Sequence, residues 1–249
     1  MTELVTLHRD EKTCIVTLAR EQKLNAISNE VERALCEALD SPGVREASCV
    51  VFTGGARVFS AGADLNEMRG LDPASVVSYY EGTGDFAERV ADLPQPTLSA
   101  VSGYCLGGGL ELALATDFRI AEEGAVFGLP EVGLGILPSS GGTHRLVRLL
   151  GPARAKELIL LRDRLSAEEA YRIGLITELV GQGEAVDRAV AHAQRLAELP
   201  HLAVRVTKRV IDSMAEGSRV ADLELERLAY ALLAQTTEAD EAVARRLSQ

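Results

Sequence analysis

The chain has 249 residues, of which 47% are hydrophobic and 25% are charged, and this composition is ordinary for a soluble globular protein. Its formal net charge of −11 argues against nucleic acid or an anionic membrane as a partner, because both carry the same sign of charge. No apolar run approaches the ~20 residues of a membrane span, and the charged opening stretch MTELVTLHRDEKTCIVTL resembles neither a signal peptide nor a transit peptide. We therefore expect a cytoplasmic protein.

Strand and helix patterns alternate in the first half of the chain. Two strands joined by a polar turn are predicted for LVTLHRD (4–10) and TCIVTLAR (13–20). A helix with Ser28 as its N-cap is predicted for SNEVERALCEALD (28–40), and a buried strand for ASCVVFTGG (47–55). Segment 64–93 is predicted to be helical, with an interruption at Gly82 and Gly84, where helix propensity is poor.

The alternation continues before helices take over. A strand is predicted for PTLSAVSG (96–103), and a turn with a short helix for LGGGLELALATD (106–117). The next segment, FRIAEEGAVFGLPEVGLG (118–135), is predicted to contain a strand, a turn, a short strand and a loop. From about residue 139 the pattern is helical, broken by one short strand in LITELV (175–180). These units predict an α/β core over residues 1–195 with mainly parallel strands. A C-terminal helical subdomain over 196–249 is expected to contain helices at 201–216 and 219–236.

The spacing of cysteines and histidines does not indicate a metal site. No C-x-x-C pair and no i, i+4 histidine pair occurs among Cys14, Cys36, Cys49, Cys105, His8, His144, His192 and His201. The cysteines are expected to be small buried residues in a reducing compartment. We expect no metal, and a chain of this length forms a core without disulfides.

Three glycine-rich stretches stand out: FSAGADLNEM (59–68), GYCLGGGLE (103–111) and FGLPEVGLGILPSSGGTHRL (127–146). In the first two, a strand ends and small residues lead into a helix start, where backbone N–H groups are unsatisfied donors reinforced by the helix dipole. The missing side chains let a ligand oxygen approach those donors, and two such turns facing each other would form an oxyanion hole. From the residues alone, tight turns between packed layers stay open as another interpretation. A phosphate-binding loop is weakly supported, because the missing GK[ST] excludes a P-loop and the G-x-G-x-x-G spacing is not kept.

Two glutamates accompany these glycines. Glu111 follows the three consecutive glycines, and Glu131 lies 20 residues further on, directly after Pro130. Two carboxylates in one pocket suit acid–base chemistry on a water molecule, because burial and mutual repulsion raise the pKa of one of them. The alternative is that Glu111 only occupies a first helical turn, where a negative charge is favourable.

With these motifs in place, the sequence resembles the enoyl-CoA hydratase/isomerase (crotonase) superfamily over most of its length. The motifs that carry the resemblance follow one another in the family order: KLNAI, FSAGADL, GYCLGGGLELALATD and FGLPEVGLGILPSSGGTHRL. The resemblance implies an α/β fold, a crotonase-like spiral of repeated ββα units with a C-terminal helical trimerisation region. It also implies a homotrimer or a hexamer built as a dimer of trimers, an acyl-CoA thioester as substrate, and no cofactor beyond the coenzyme A of that substrate.

The resemblance also implies a set of site residues. The thioester oxygen would be held by the backbone N–H groups of Ala63 and Gly108, and the two glutamates typical of hydratases fall on Glu111 and Glu131. Lys23 falls where a basic residue lies near the CoA phosphates, with a solvated loop charge as its alternative. The remaining substrate-binding positions are expected to be Leu24, Ala26, Ala61, Asp64, Leu65 and Gly107.

The resemblance predicts hydration of a 2-enoyl-CoA to a 3-hydroxyacyl-CoA, with Glu111 activating the water and Glu131 delivering a proton to C2. One alternative is another crotonase-type lyase or isomerase, such as a methylglutaconyl-CoA hydratase or an enoyl-CoA isomerase. A second alternative is a non-catalytic or RNA-associated member of the same fold. His144 stands where many relatives have glutamine, and it is expected to lie at the surface or behind the site rather than to form a nucleophilic pair with Ser139 or Ser140.

Overall fold

The computed structural model describes residues 4–67, 86–161 and 164–214. Within them, six strands form a sheet in the order β1-β2-β3-β4-β6-β9, and three more form a second sheet in the order β5-β7-β8. The strands are β1 (Val5–Asp10), β2 (Thr13–Leu18), β3 (Cys49–Thr53), β4 (Thr97–Val101), β5 (Tyr104–Leu106), β6 (Phe118–Glu122), β7 (Val126–Gly128), β8 (Leu165–Ser166) and β9 (Glu178–Val180). Only the β1–β2 and β7–β8 pairs are antiparallel.

Helices cover both faces of the larger sheet. They are α1 (Asn29–Asp40), α2 (Pro42–Arg45), α3 (Phe86–Ala91), α4 (Gly108–Leu114), α5 (Gly142–Leu160), α6 (Ala167–Arg172), α7 (Ala185–Ala197) and α8 (His201–Met214). Two short 3₁₀ helices span Glu21–Lys23 and Pro130–Leu134. Helix α5 is kinked at Gly151, just before Pro152, because proline cannot donate the backbone hydrogen bond that a continuous helix needs.

The strand β3 is buried along its whole length because it has packed neighbours on both faces. Its residues alternate between two cores: Val50 and Phe52 face the larger one, which α1 and α4 complete. Cys49 and Val51 face a smaller core, which α7 covers with three alanines at i, i+4 spacing, Ala185, Ala189 and Ala193. A parallel strand covered on both faces is expected to be a continuous apolar run, and CVVF meets that expectation.

Most predicted elements of the first half are confirmed. The β1–β2 hairpin, β3 and β4 lie where their patterns predicted, and the N–H of Val31 donates to the Ser28 hydroxyl at 3.4 Å as the first helix requires. Three assignments are wrong. Residues 130–134, predicted as loop, form a 3₁₀ helix, because Pro130 favours the first helical position. The short strand β8 interrupts the region predicted as helical, and residues 64–67 are not helical. Of the segment 64–93, residues 64–67 are a turn and 86–91 are helical.

The remaining predictions of the fold concern the C-terminal region, the cysteines and metals. The helix predicted at 201–216 is observed as α8, whereas the segment 219–236 and the glycines Gly82 and Gly84 lie outside the described residues. All four cysteines are buried free thiols, as expected. In the described part of the chain, no cluster of three metal-ligating side chains occurs, and no helix there is long and apolar enough to span a membrane.

Helix α4 begins in direct contact with the loop that follows β3. A Cβ built on Gly109 would lie 2.7 Å from both the Cβ and the carbonyl oxygen of Ser60, and Ser60 is fully buried. Any side chain at position 109 therefore forces the helix away from the loop. This contact fixes the start of α4 against the turn at Gly62.

We therefore predict that Gly109→Ala destabilises the protein by about 1–3 kcal/mol, the usual cost of overpacking. The matched control is Gly43→Ala in α2, where the nearest atoms would lie 3.6 Å or more from the new Cβ, and we expect it to leave stability unchanged or slightly raised. Urea denaturation of the three proteins measures the difference. Equal midpoints for the two variants would contradict the packing argument.

Candidate active site

The buried side-chain amide of Asn25 joins the loop after β2 to the loop after β3. Its Nδ2 donates to the carbonyl oxygens of Gly54 at 2.9 Å, Val58 at 2.8 Å and Phe59 at 3.2 Å, while its Oδ1 accepts from the N–H of Arg20 at 2.9 Å. Asn25 is 1% exposed and has a φ of 51°, in the left-handed region that asparagine tolerates better than most residues. It therefore shapes the segment KLNAI so that this segment runs beside AGAD.

These two segments are connected by backbone hydrogen bonds. The N–H of Ile27 donates to the carbonyl of Gly62 at 2.8 Å, and the N–H of Asp64 donates to the carbonyl of Ile27 at 2.9 Å. The N–H of Gly62 donates to the Ser60 hydroxyl at 3.1 Å. The amides on both sides of Ala63 are thus already bonded within the protein.

The AGAD turn faces the start of α4 at very short range. A Cβ on Gly62, whose φ is +97°, would lie 2.8 Å from the Leu106 carbonyl and 3.4 Å from the Gly108 nitrogen. A Cβ on Gly108 would lie 3.7 Å from the Ala63 nitrogen. The backbone nitrogens of Ala63 and Gly108 therefore border one small gap.

These two N–H groups are available for a ligand. Among the described residues, neither donates a hydrogen bond within the protein, whereas the N–H of Gly107 next to them donates to the Gly128 carbonyl at 2.9 Å. Gly108 is the first residue of α4, where the helix dipole adds positive potential. Two neighbouring N–H donors of this kind are the elements from which an oxyanion hole is built.

Glu111 lies one turn into α4, and its carboxylate is held by a loop from elsewhere in the chain. Its Oε1 accepts from the N–H of Ser140 at 2.8 Å and of Gly142 at 3.2 Å. Gly142 must be glycine here because a Cβ would lie 2.7 Å from Glu111 Oε1. The other oxygen of Glu111, Oε2, lies towards the glycine turn, 3.9 Å from the position of a Cβ built on Gly108.

Glu131 approaches the same turn from the 3₁₀ helix, which the fully buried Leu129 anchors to the core. Its Oε1 lies 3.2 Å from where a Cβ of Gly107 would stand. Its Oε2 is buried and has no hydrogen-bond partner in the described part of the chain. A buried carboxylate oxygen without a partner is costly unless it is protonated or binds a ligand.

The two carboxyl groups are tuned by different surroundings. Burial and, to a smaller extent, the negative charge of Glu111 together raise the pKa of Glu131 to about 7, against the effect of a hydrogen bond from its own backbone. Burial also raises the pKa of Glu111, but the N–H groups of Ser140, Gly142 and Ser139 stabilise its ionised form and oppose that rise. The site therefore contains one carboxylate held by donors and one carboxyl poised near neutral pH.

The other predicted substrate-binding residues lie on the rim. Lys23 and Leu24 are exposed on the loop after β2, and Leu65 is exposed after the AGAD turn. Ala26 and Ala61 are half-buried between them, where the N–H of Ala61 donates to the Leu24 carbonyl at 2.9 Å.

Asp64 has a structural partner. Its Oδ2 accepts from Arg20 Nη1 at 2.8 Å, and its Oδ1 accepts from the backbone and side chain of Asn66. The same Arg20 nitrogen donates to the Ala26 carbonyl at 3.1 Å. The carboxylate therefore braces the rim, and its contact with a substrate stays a prediction.

An apolar surface lies next to Glu131. Its large side chains are between 42% and 62% exposed and follow one another along the 3₁₀ helix and the next loop: Val132, Leu134, Ile136 and Leu137. Exposed apolar residues grouped beside polar catalytic groups are typical of a ligand site.

Several contributors to the site were not identified from the sequence. The motif KLNAI indicates no role for Asn25, although asparagine is the residue type that tolerates a left-handed turn and bonds to the backbone there. Ser140 and Gly142 act through backbone N–H groups, which no side-chain pattern reveals. His144 is exposed on α5, with Nε2 3.3 Å from Arg148 Nη1, which agrees with its expected surface position.

Comparison with known proteins places this geometry in a family. The family model described as Enoyl-CoA hydratase/isomerase matches residues 8–246. The chain belongs to the enoyl-CoA hydratase/isomerase family. A relative from Arabidopsis thaliana, "Probable enoyl-CoA hydratase 2, mitochondrial", is 39% identical over 97% of this chain and 82% of its own length.

Two further comparisons cover almost the whole of both partners. "2,3-Dehydroadipyl-CoA hydratase" from Escherichia coli K12 is 34% identical over 98% of this chain and 94% of its own length. The crystal structure of enoyl-CoA hydratase from Bacillus anthracis superposes with a TM-score of 0.92 at 34% identity, covering 98% and 96% of the two chains. The predicted crotonase fold is confirmed, and the protein is an enzyme of the enoyl-CoA hydratase type.

The raised pKa of Glu131 predicts a pH-dependent cost in stability. Because the folded protein binds this proton more tightly than the unfolded chain, whose pKa is near 4.5, the free energy of unfolding falls as pH rises from about 4.5 to 7. Glu131→Gln removes this pH-dependent fall in the free energy of unfolding, because the amide does not titrate. The stability of this variant relative to wild type should therefore rise between pH 5 and pH 8, by roughly 2–3 kcal/mol.

Denaturant unfolding at the two pH values measures this change. The control is Glu123→Gln, an exposed carboxyl after β6, whose stability relative to wild type should change little with pH. If Glu131→Gln behaved in the same way as this control, Glu131 would not be the neutral-pH carboxyl of the site.

Proposed function

We propose that the protein hydrates a 2-enoyl-CoA thioester to a 3-hydroxyacyl-CoA. One observation carries the proposal: two buried carboxyl groups, of Glu111 and Glu131, lie at one glycine turn beside the N–H groups of Ala63 and Gly108, which donate no hydrogen bond among the described residues. The family supports an acyl-CoA as the substrate. The apolar surface beside Glu131 is suited to the acyl chain.

The oxyanion hole supplies the electrophilic part of the reaction. Adding a nucleophile at C3 of a 2-enoyl thioester moves negative charge onto the thioester oxygen as an enolate. The N–H groups of Ala63 and Gly108 point at a site where this charge develops, so they stabilise the transition state more than the ground state. Of the three glycines, Gly108 is the one whose missing side chain leaves room for this step.

The glutamates supply the proton transfers. Glu111, kept ionised by its N–H donors, accepts a proton from the water whose oxygen bonds to C3. Glu131, with a pKa of about 7, delivers a proton to C2. A proton then passes back from Glu111 to Glu131, so that one water molecule is added overall and neither carboxyl is consumed.

The CoA moiety is assigned to the rim. Lys23 is exposed at the end of the 3₁₀ helix beside Leu24, where its charge suits a CoA phosphate in a protein of net charge −11. The proposal includes Leu24, Ala26, Ala61, Leu65 and Gly107 as substrate contacts. It also includes a homotrimer or a dimer of trimers, which light scattering tests, no metal or redox cofactor, and a cytoplasmic location.

The first test removes each carboxylate. Glu111→Gln and Glu131→Gln should each lower kcat for hydration of crotonyl-CoA by about 100-fold or more, the usual contribution of a positioned acid or base. Glu123→Gln should retain full activity. Loss of the enoyl-thioester absorbance measures turnover.

The accompanying substrate panel contains crotonyl-CoA, longer 2-enoyl-CoAs, 3-methylglutaconyl-CoA and 3-enoyl-CoAs. The proposal requires hydration of at least one 2-enoyl-CoA. If only 3-enoyl substrates reacted, and by isomerisation, the enzyme would be an isomerase instead.

The second test separates the oxyanion hole from the fold. A Cβ at Gly108 would make only ordinary contacts, 3.6 Å from Ile27 Cδ1 and 3.9 Å from Glu111 Oε2, so Gly108→Ala should fold with wild-type stability. The same Cβ narrows the gap in front of the Ala63 N–H, so turnover should fall on the order of 100-fold. Gly109→Ala, at the next position, serves as the contrast, because this substitution is expected to destabilise the folded protein.

An assay of crotonyl-CoA hydration measures turnover, and a thermal melt of the same preparation measures stability. Wild-type turnover in a stably folded Gly108→Ala would remove this N–H pair from the mechanism.

A further inference from the structure

The loop before α5 determines where the Glu111 carboxylate points. Glu111 lies on α4, but its Oε1 is bonded to the N–H groups of Ser140 and Gly142, which belong to a different part of the chain. A shift of this loop would release the carboxylate or turn it away from the glycine turn. Whatever holds the loop therefore acts on the catalytic group through two hydrogen bonds.

Arg145 holds that loop from the opposite side. Its Nη1 donates to the Ser140 carbonyl at 2.9 Å, and its Nη2 pairs with Glu88 Oε1 of α3 at 2.5 Å. The side chain is only 14% exposed. It lies so close to Gly141 that a Cβ there would be 2.1 Å from Nη1, and the φ of +79° at Gly141 also favours glycine.

Ser140 is thus bonded at both ends of its own backbone. Its N–H donates to Glu111 and its carbonyl accepts from Arg145. A continuous polar chain runs from the Glu111 carboxylate through Ser140 to the Arg145 guanidinium and on to Glu88. Hydrogen bonds linked in this way polarise and orient one another.

We propose that Arg145 is a positioning residue for the hydration reaction: by binding the Ser140 carbonyl, its guanidinium holds the loop whose N–H groups orient the Glu111 carboxylate. This role rests on the proposed function, because it matters for catalysis only if Glu111 activates the water. Arg145 does not itself touch the reacting atoms.

The guanidinium also acts on Glu111 through its charge. In the described part of the chain, the charged groups that face Glu111 are Glu131 of the 3₁₀ helix and Arg145 of α5, with Glu88 of α3 behind Arg145. The positive charge of Arg145 lowers the pKa of Glu111 against the effect of burial. Removing the charge of Arg145 raises the pKa of Glu111. As the pH falls, Glu111 is then protonated at a higher pH than in wild type.

Two substitutions separate the hydrogen-bond role from the charge. Arg145→Lys keeps the charge but replaces a planar fork by a single ammonium, which cannot reproduce the geometry that binds Ser140 and Glu88 together. We expect kcat to fall about tenfold or more with little change in KM, and the acid limb of the pH profile to stay in place. Arg145→Gln removes the charge as well, so kcat falls further and the acid limb moves to higher pH.

Two controls come from the same neighbourhood. Arg148→Gln, one turn further along α5 and exposed, makes the same change in net charge and should leave both kcat and the pH profile unchanged. Glu88→Gln removes the outer partner of Arg145 but leaves its bond to Ser140, so kcat should stay within about twofold. Thermal melts of all four variants show which of them fold like wild type.

A second readout makes the proposal independent of turnover. In ¹³C NMR spectra, the Glu111 carboxyl of the free enzyme should titrate at a higher pH in Arg145→Gln than in wild type, Arg145→Lys or Arg148→Gln. If the wild type hydrates a 2-enoyl-CoA but Arg145→Gln keeps wild-type kcat and an unshifted acid limb, the positioning role is refuted. If the wild type hydrates no member of the substrate panel, the proposed function fails, and an unmoved Glu111 titration would refute the Arg145–Glu111 coupling as well.

Discussion

The site depends on a buried side-chain amide. Asn25 donates from one nitrogen to three carbonyl groups of the loop after β3 and accepts from the chain before it. The donors and acceptors that it satisfies lie in the interior, where an unpaired polar group costs about 1–3 kcal/mol. The backbone of Ile27 then pairs with the residues on either side of Ala63. The position of the Ala63 N–H group therefore follows from the packing of Asn25.

The same logic of satisfied and unsatisfied groups distinguishes the two glutamates. Glu111 has its partners within the protein, supplied by a loop that Arg145 braces, so it can remain ionised in a buried place. Glu131 has an oxygen without a partner in the described part of the chain, so burial favours its neutral form. A difference in pKa between two neighbouring carboxyls is what divides acid and base roles in one pocket. Here three backbone N–H groups of the loop before α5 oppose the effect of burial on Glu111, whereas Glu131 has such help only from its own backbone.

The sequence predicted the elements of the described fold well because strands and helices follow local periodicity. It also predicted that AGAD and the three glycines would face each other, although only the resemblance to a family made that choice over simple tight turns. It could not predict Asn25, Ser140 or Arg145, because their roles depend on contacts between segments that are far apart in the chain. The 3₁₀ helix at Glu131 was missed for a related reason: a single turn after Pro130 carries no periodic signal.

The three consecutive glycines show how little a motif reveals about the reasons for its residues. Gly107 has a φ of +50° and lies against the Glu131 carboxylate, so it is required by backbone conformation and by the space that Glu131 occupies. Gly109 is required by the contact with Ser60, which is a matter of packing. Gly108 has neither constraint, because its φ is ordinary and an added Cβ would meet no atom of the described residues closer than 3.6 Å. The absence of a side chain there leaves space beside the N–H groups of Ala63 and Gly108, which donate to no acceptor among the described residues.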